Sequence, residues 1–170
     1  MALFDERERC LARDILQDCK ETLILPLQGE TPFQVEISGL EIMNDDPSEV
    51  DVLYAKVGQA DQLQDVAEKI IDRFVESGLM KREYERIKFH VTLMNTLFRK
   101  DKNDVGDVNE PAGKSARETF DSRQILELYG NTSFGSVEIS EIHLSQRRAG
   151  RRTPEGYYLP TAILNIVSCG

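Results

Sequence analysis

The chain of 170 residues is 40% apolar, the size of one domain (residues 1–170) with room for a substantial core. A formal charge of -9 argues against a protein that coats nucleic acid by bulk electrostatics. No run approaches the roughly 18 apolar residues of a membrane span, and Met1-Ala2-Leu3-Phe4-Asp5 turns charged before a secretory apolar region can form.

Residues 5–22 have the periodicity of an amphipathic helix, with Leu11, Ile15, Cys19 and Leu23 along one stripe and Ala12 and Leu16 beside it. Phe33, Val35 and Ile37 alternate with polar residues, and 52–57 is a second strand-like run. Asn44-Asp45-Asp46-Pro47 between them is turn chemistry, so the pair is expected to form a hairpin, and its two acids are not read as metal ligands. Leu63, Val66, Ile70, Ile71 and Phe74 recur at helical spacing through 61–77, ahead of Gly78. The segment 87–94 alternates strictly. Ile87, Phe89, Val91 and Leu93 are expected on a buried face, and Lys88, His90, Thr92 and Met94 on the other.

Residues 99–118 are polar and interrupted by Gly and Pro, which predicts a long surface loop. Gly113-Lys114-Ser115 within it lacks the glycine and preceding strand of a phosphate-binding loop. A short helix is expected over 122–129. The parity of Val137 and Ile139 differs from that of Ile142 and Leu144, which predicts a bulge or break near Ser140-Glu141 and puts His143 and Ser145 on one face. A last strand covers 157–167. This order predicts an α+β fold with helices layered on a mainly antiparallel sheet. Cys10, Cys19 and Cys169 are odd in number and far apart, so neither a disulfide framework nor a zinc site is indicated, and a reducing intracellular compartment fits.

Both histidines stand in the pattern H-x-[ST], as His90-Val91-Thr92 and His143-Leu144-Ser145. Positions i and i+2 of a strand point to one side, so an imidazole and a hydroxyl can meet the same phosphate. Histidine gives or takes a proton near neutrality, and the hydroxyl donates to a nonbridging oxygen. Two such strands supply the base and the acid of phosphodiester cleavage without a metal. The bland alternative makes each histidine a hydrogen-bonded packing residue. Segments 81–102 and 147–152 hold 11 of the 21 Lys and Arg, one beside each histidine. That clustering is either chance or an electropositive rim that draws an anion inward.

Three runs carry a resemblance: Met43-Asn44-Asp45-Asp46-Pro47-Ser48-Glu49-Val50-Asp51-Val52-Leu53-Tyr54-Ala55-Lys56-Val57, Lys88-Phe89-His90-Val91-Thr92-Leu93-Met94-Asn95-Thr96-Leu97-Phe98-Arg99-Lys100-Asp101, and Ile142-His143-Leu144-Ser145-Gln146-Arg147. They resemble the C-terminal phosphodiesterase-like domain of activating signal cointegrator complex subunits, a branch of the two-histidine phosphoesterase superfamily related to a nuclear A-kinase anchor protein. The resemblance covers nearly the whole chain. It implies a two-lobed α+β fold of mainly antiparallel sheets with flanking helices, whose two H-x-T strands face each other across a cleft. RNA or another nucleotide phosphodiester is the implied ligand class, with no metal and no other cofactor. Subunits of a helicase-containing cointegrator complex are the implied partners, in a nuclear setting, with the cytoplasm second, linked to transcription, alkylation repair and ribosome quality control.

On that resemblance His90-x-Thr92 matches the family's second H-x-T motif, which makes His90 and Thr92 the catalytic candidates. The first H-x-T strand is expected upstream of Met1 and missing here, as is the RNA-binding KH domain. The exposed sheet edge left behind favours self-association. His143, Ser145, Arg147 and Asn95 become auxiliary phosphate-binding candidates. Three readings stay open: a metal-independent phosphodiesterase, an RNA-phosphate-binding module without turnover, and a docking face for the helicase subunit.

Overall fold

The computed structural model describes residues 5–29, 31–96, 118–146, 153–154 and 157–166. The first helix, α1 (Glu6–Cys19), starts at a reciprocal cap: the Asp5 carboxylate accepts from the Glu8 amide and the Glu8 carboxylate from the Asp5 amide. It does not stop near residue 22. It passes through a π-turn, Lys20–Ile24, into α2 (Leu25–Gln28), and ends at Gly29, whose φ of 65° suits glycine. Pro26 supplies the cause of the π-turn. It has no N–H to give the carbonyl four residues back, and its ring crowds that carbonyl in a regular helix. Widening the turn, with the Leu25 amide bonded to the Lys20 carbonyl five residues back, relieves both problems. The buried apolar positions are Ala12, Leu16, Cys19 and Ile24. The stripe thus runs along Ala12 and Leu16, and Leu11 is exposed.

Strands β1 (Phe33–Ile42) and β2 (Val52–Gly58) form the expected antiparallel hairpin. Helix α3 (Asp61–Glu76) buries Val66, Ile70 and Phe74, and Gly78 beyond it takes a left-handed φ of 79°. Strand β3 (His90–Asn95) begins three residues later than the alternation predicts. The short helix α4 (Arg123–Tyr129) and strand β4 (Ser133–Ile139) follow. The chain breaks at Ser140, where the parity change places it, and β5 (Glu141–Ser145) pairs antiparallel with β6 (Pro160–Asn165) in a separate sheet. The last strand is therefore shorter than 157–167. The first sheet has the order β3-β2-β1-β4, with β2 antiparallel to both neighbours. The fold is the α+β class that the element order predicts. The expected loop over 99–118, with its Gly113-Lys114-Ser115, lies outside the described residues apart from Glu118.

The chain divides into two compact units, each built from separated segments. One holds residues 1–35, 59–88 and 137–170, the other 36–58 and 89–136. The first has the larger core: Ala12, Leu16, Cys19, Ile24, Phe33, Val66, Ile70, Phe74, Leu164 and Ile166 pack together, with Ile142 and Leu144 half-buried against them. The second centres on β2, where Leu53, Tyr54 and Ala55 are all buried, so both faces of this middle strand are covered. The face expected to be buried on β3 is not. Val91 is 38% exposed and Leu93 44%, because β3 ends its sheet and pairs only with β2 among the described residues. Phe89 is half-buried and precedes the strand.

Candidate phosphate-binding face

The register of β2 and β3 sets the site. Lys56 lies opposite His90, Tyr54 opposite Thr92 and Val52 opposite Asn95. Side chains at Val52, Tyr54 and Lys56 share one face of β2, so their partners share it too. Strict alternation along β3 separates Asn95 from His90 and Thr92. A bulge reunites them: Tyr54 pairs with Thr92 but Leu53 with Met94, which leaves Leu93 as the extra residue and reverses parity beyond it. Met94, read as a neighbour of Thr92, moves to the opposite face with Leu53.

Three further residues on this face escaped the sequence reading. Tyr54 is completely buried, its hydroxyl donates to the Glu41 carboxylate at 2.6 Å, and its ring meets that of His90 edge to face at 5.3 Å. Glu41 is Tyr54's direct partner across the hairpin. Lys56 is exposed, and its ammonium makes no hydrogen bond or ion pair among the described residues. Its stem lies over Gly39, in the irregular stretch between Ile37 and Leu40 where β1 takes a φ of 76°. The run 52–57 reads as undifferentiated apolar strand; its alternation pairs Tyr54 with Lys56, but only the register shows which residues they oppose.

The hairpin turn is held by its own side chains. Asp46 Oδ1 accepts from the Ser48 amide at 2.8 Å and the Ser48 hydroxyl at 2.7 Å, and these bonds hold its carboxyl below the usual range. The segment before α4 is tied to the same turn. Val50 and Phe120 exchange backbone bonds, and the buried Ser122 donates both its amide (2.8 Å) and its hydroxyl (3.0 Å) to the Pro47 carbonyl. Beside it Arg123 grips Asp121 through side chain and amide, pulling the Asp121 carboxyl down to about 2.

His143 stands on β5 in the other unit. As expected from parity, it alternates with Ile142 and Leu144, which face the core. Its Nε2 lies 2.7 Å from Glu141 Oε2 two residues earlier on the same face. Because an ionised carboxylate only accepts, Nε2 carries the hydrogen, and in the neutral ring Nδ1 is left to accept. Ser145 lies opposite Pro160, beyond a register shift. Arg147, with the basic run 147–152 and with Arg99, Lys100 and Lys102, lies outside the described residues. His90, Thr92 and Asn95 thus stand together on one strand face, and His143 and Ser145 on another sheet.

The family model described as AKAP7 2'5' RNA ligase-like domain matches residues 1–166. The chain is also similar to activating signal cointegrator 1 complex subunit 1 of Mus musculus, 44% identical over 155 residues. That alignment covers 86% of this chain but 44% of the mouse protein, so the chain spans less than half the length of that relative.

Proposed function

The chain belongs to the AKAP7 2'5' RNA ligase-like domain family, and on that premise we propose that it recognises and cleaves RNA or nucleotide phosphodiesters without a metal, with His90 and Thr92 at the reacting phosphate. The observation that carries this reading is the shared face of β2 and β3, where an imidazole, a hydroxyl, an amide and an ammonium (His90, Thr92, Asn95 and Lys56) come from register-paired strands. When water attacks a cyclic or linear phosphodiester, a base takes the water proton and an acid protonates the ribose oxygen as its bond to phosphorus breaks. His90 serves one of these roles and Thr92 donates to a nonbridging oxygen. Lys56 offsets the anionic charge, and Asn95 donates through its amide. The complementary proton carrier is a second imidazole, the upstream histidine that the resemblance implies. By its likeness to a cointegrator complex subunit, the chain works within an assembly of that kind, in the nucleus.

The test is turnover of 2',3'-cyclic nucleotides and of 2',5'- and 3',5'-linked oligonucleotides by the chain extended upstream through that histidine, and by its His90→Ala and His143→Ala variants. A general acid or base contributes roughly 100- to 10,000-fold, so His90→Ala is expected to lose at least a hundredfold while staying folded. Undiminished turnover in that variant sinks the assignment. Loss in His143→Ala overturns the pairing of His90 with the upstream histidine. RNA binding with no turnover, weakened by Lys56→Ala, makes the face a binding module instead.

A further inference from the structure

A histidine exposed on the end strand of a sheet has rotamers to choose from, and proton transfer needs one of them. We propose that Tyr54 is a positioning residue for His90, holding the imidazole in one orientation through a ring that is itself anchored by Glu41. The proposal rests on the reading of His90 as the proton carrier. Tyr54 is fixed at both ends: its backbone lies in an inner strand of the sheet, between Glu41 on β1 and Thr92 on β3, and its hydroxyl is bonded to Glu41 at 2.6 Å. No part of it is exposed, so the ring has little freedom to turn away.

His90 sits two residues before Thr92 on the same face, which makes it a diagonal neighbour of Tyr54, within reach of an aromatic ring. The ring centres are 5.3 Å apart with planes at 62°. That is the edge-to-face arrangement aromatic rings favour, strong enough to bias one ring orientation several-fold. The strand pairing places the imidazole's Cα, and the Tyr54 ring biases the plane the imidazole takes. A buried tyrosine hydroxyl needs a hydrogen-bond partner in any case; the histidine against its ring is what sets this tyrosine apart.

The experiment measures His90 ring order by NMR relaxation of carbon-13-labelled imidazole, together with kcat and KM, in four variants. Tyr54→Leu removes the ring; Tyr54→Phe and Glu41→Ala remove the tether; Val66→Ala, in the core of the other unit, controls for simple loss of stability. Tyr54→Leu is expected to loosen the His90 ring and lower kcat by roughly tenfold to a hundredfold with little change in KM. Tyr54→Phe should restore most of both, Glu41→Ala should fall between, and Val66→Ala should lower the melting temperature without touching ring order. A His90 ring as ordered in Tyr54→Leu and Glu41→Ala as in the wild type overturns the proposal; if Tyr54→Leu does not fold, Glu41→Ala alone decides. Should His90→Ala keep full turnover, the catalytic reading falls, and ring order still decides whether Tyr54 positions the imidazole.

Discussion

Lys56 reaches its place because residue 39 has no side chain. A Cβ there would meet Lys56 Cε at 2.7 Å and the Gly130 carbonyl oxygen at 3.2 Å, on a backbone with φ of 76°. Gly39→Ala is therefore expected to cost at least about 1–2 kcal/mol from the left-handed conformation alone. It should also displace the ammonium, weakening RNA binding about as much as Lys56→Ala does; a denaturant midpoint and a binding titration check the two halves. Phe89 carries less than strand alternation implies. A fully buried ring costs about 3–5 kcal/mol to remove. Because Phe89 is half-buried and outside the strand, Phe89→Ala should cost nearer half of that, read from the same midpoint. Asp121 gives a pH signature. Arg123 lowers its folded pKa to about 2, below the unfolded value of about 3.9. The stabilisation it gives is present above about pH 4 and fades as pH falls toward 2. Asp121→Asn should thus lower the melting temperature at pH 7 and converge with the wild type near pH 2.

Ser122 joins two elements distant in sequence, the hairpin turn and the start of α4. Its buried hydroxyl bonds the Pro47 carbonyl, so Ser122→Ala should cost about 1 kcal/mol, measurable as a shift in melting temperature. The π-turn makes a sharper prediction. Buried positions follow at intervals of four and three from Ala12 to Cys19, then jump five to Ile24. Deleting Glu21 restores a regular interval of four and keeps that isoleucine inward, yet it returns Pro26 to a regular helix, where proline costs about 3 kcal/mol. The deletion alone should destabilise and the deletion with Pro26→Ala should recover, a non-additive pair visible in a double-mutant cycle. This element also shows what the sequence can reveal. Local patterns set by one element's own residues were legible: α3 from its periodicity, the hairpin turn from Asn44-Asp45-Asp46-Pro47, and the break at Ser140 with the His143–Ser145 face from parity. What depends on a neighbour was not. The phase of α1 depends on a proline seven residues past its end, the exposure of β3 on its lying at the end of the sheet, and the place of Asn95 beside Thr92 on a bulge that only pairing with β2 creates.

Among the described residues β3 ends its sheet, with Val91, Leu93 and Met94 each more than a third exposed. Such an edge invites strand addition by a second copy. Concentration-dependent association in analytical ultracentrifugation, suppressed by Leu93→Lys, is the expected outcome; a monomer at all concentrations removes the idea. No helix among the described residues is long and apolar enough to cross a membrane. The division into two units built from five interleaved segments bears on biosynthesis. The second unit is complete once residue 136 has been made. The first cannot close then, because its core takes Leu164 and Ile166, which are made later. Its helices α1 and α3, which carry Leu16, Val66 and Phe74, must wait for Leu164 and Ile166 through the synthesis of the other unit. That interval is when a nascent chain of this kind most needs a chaperone.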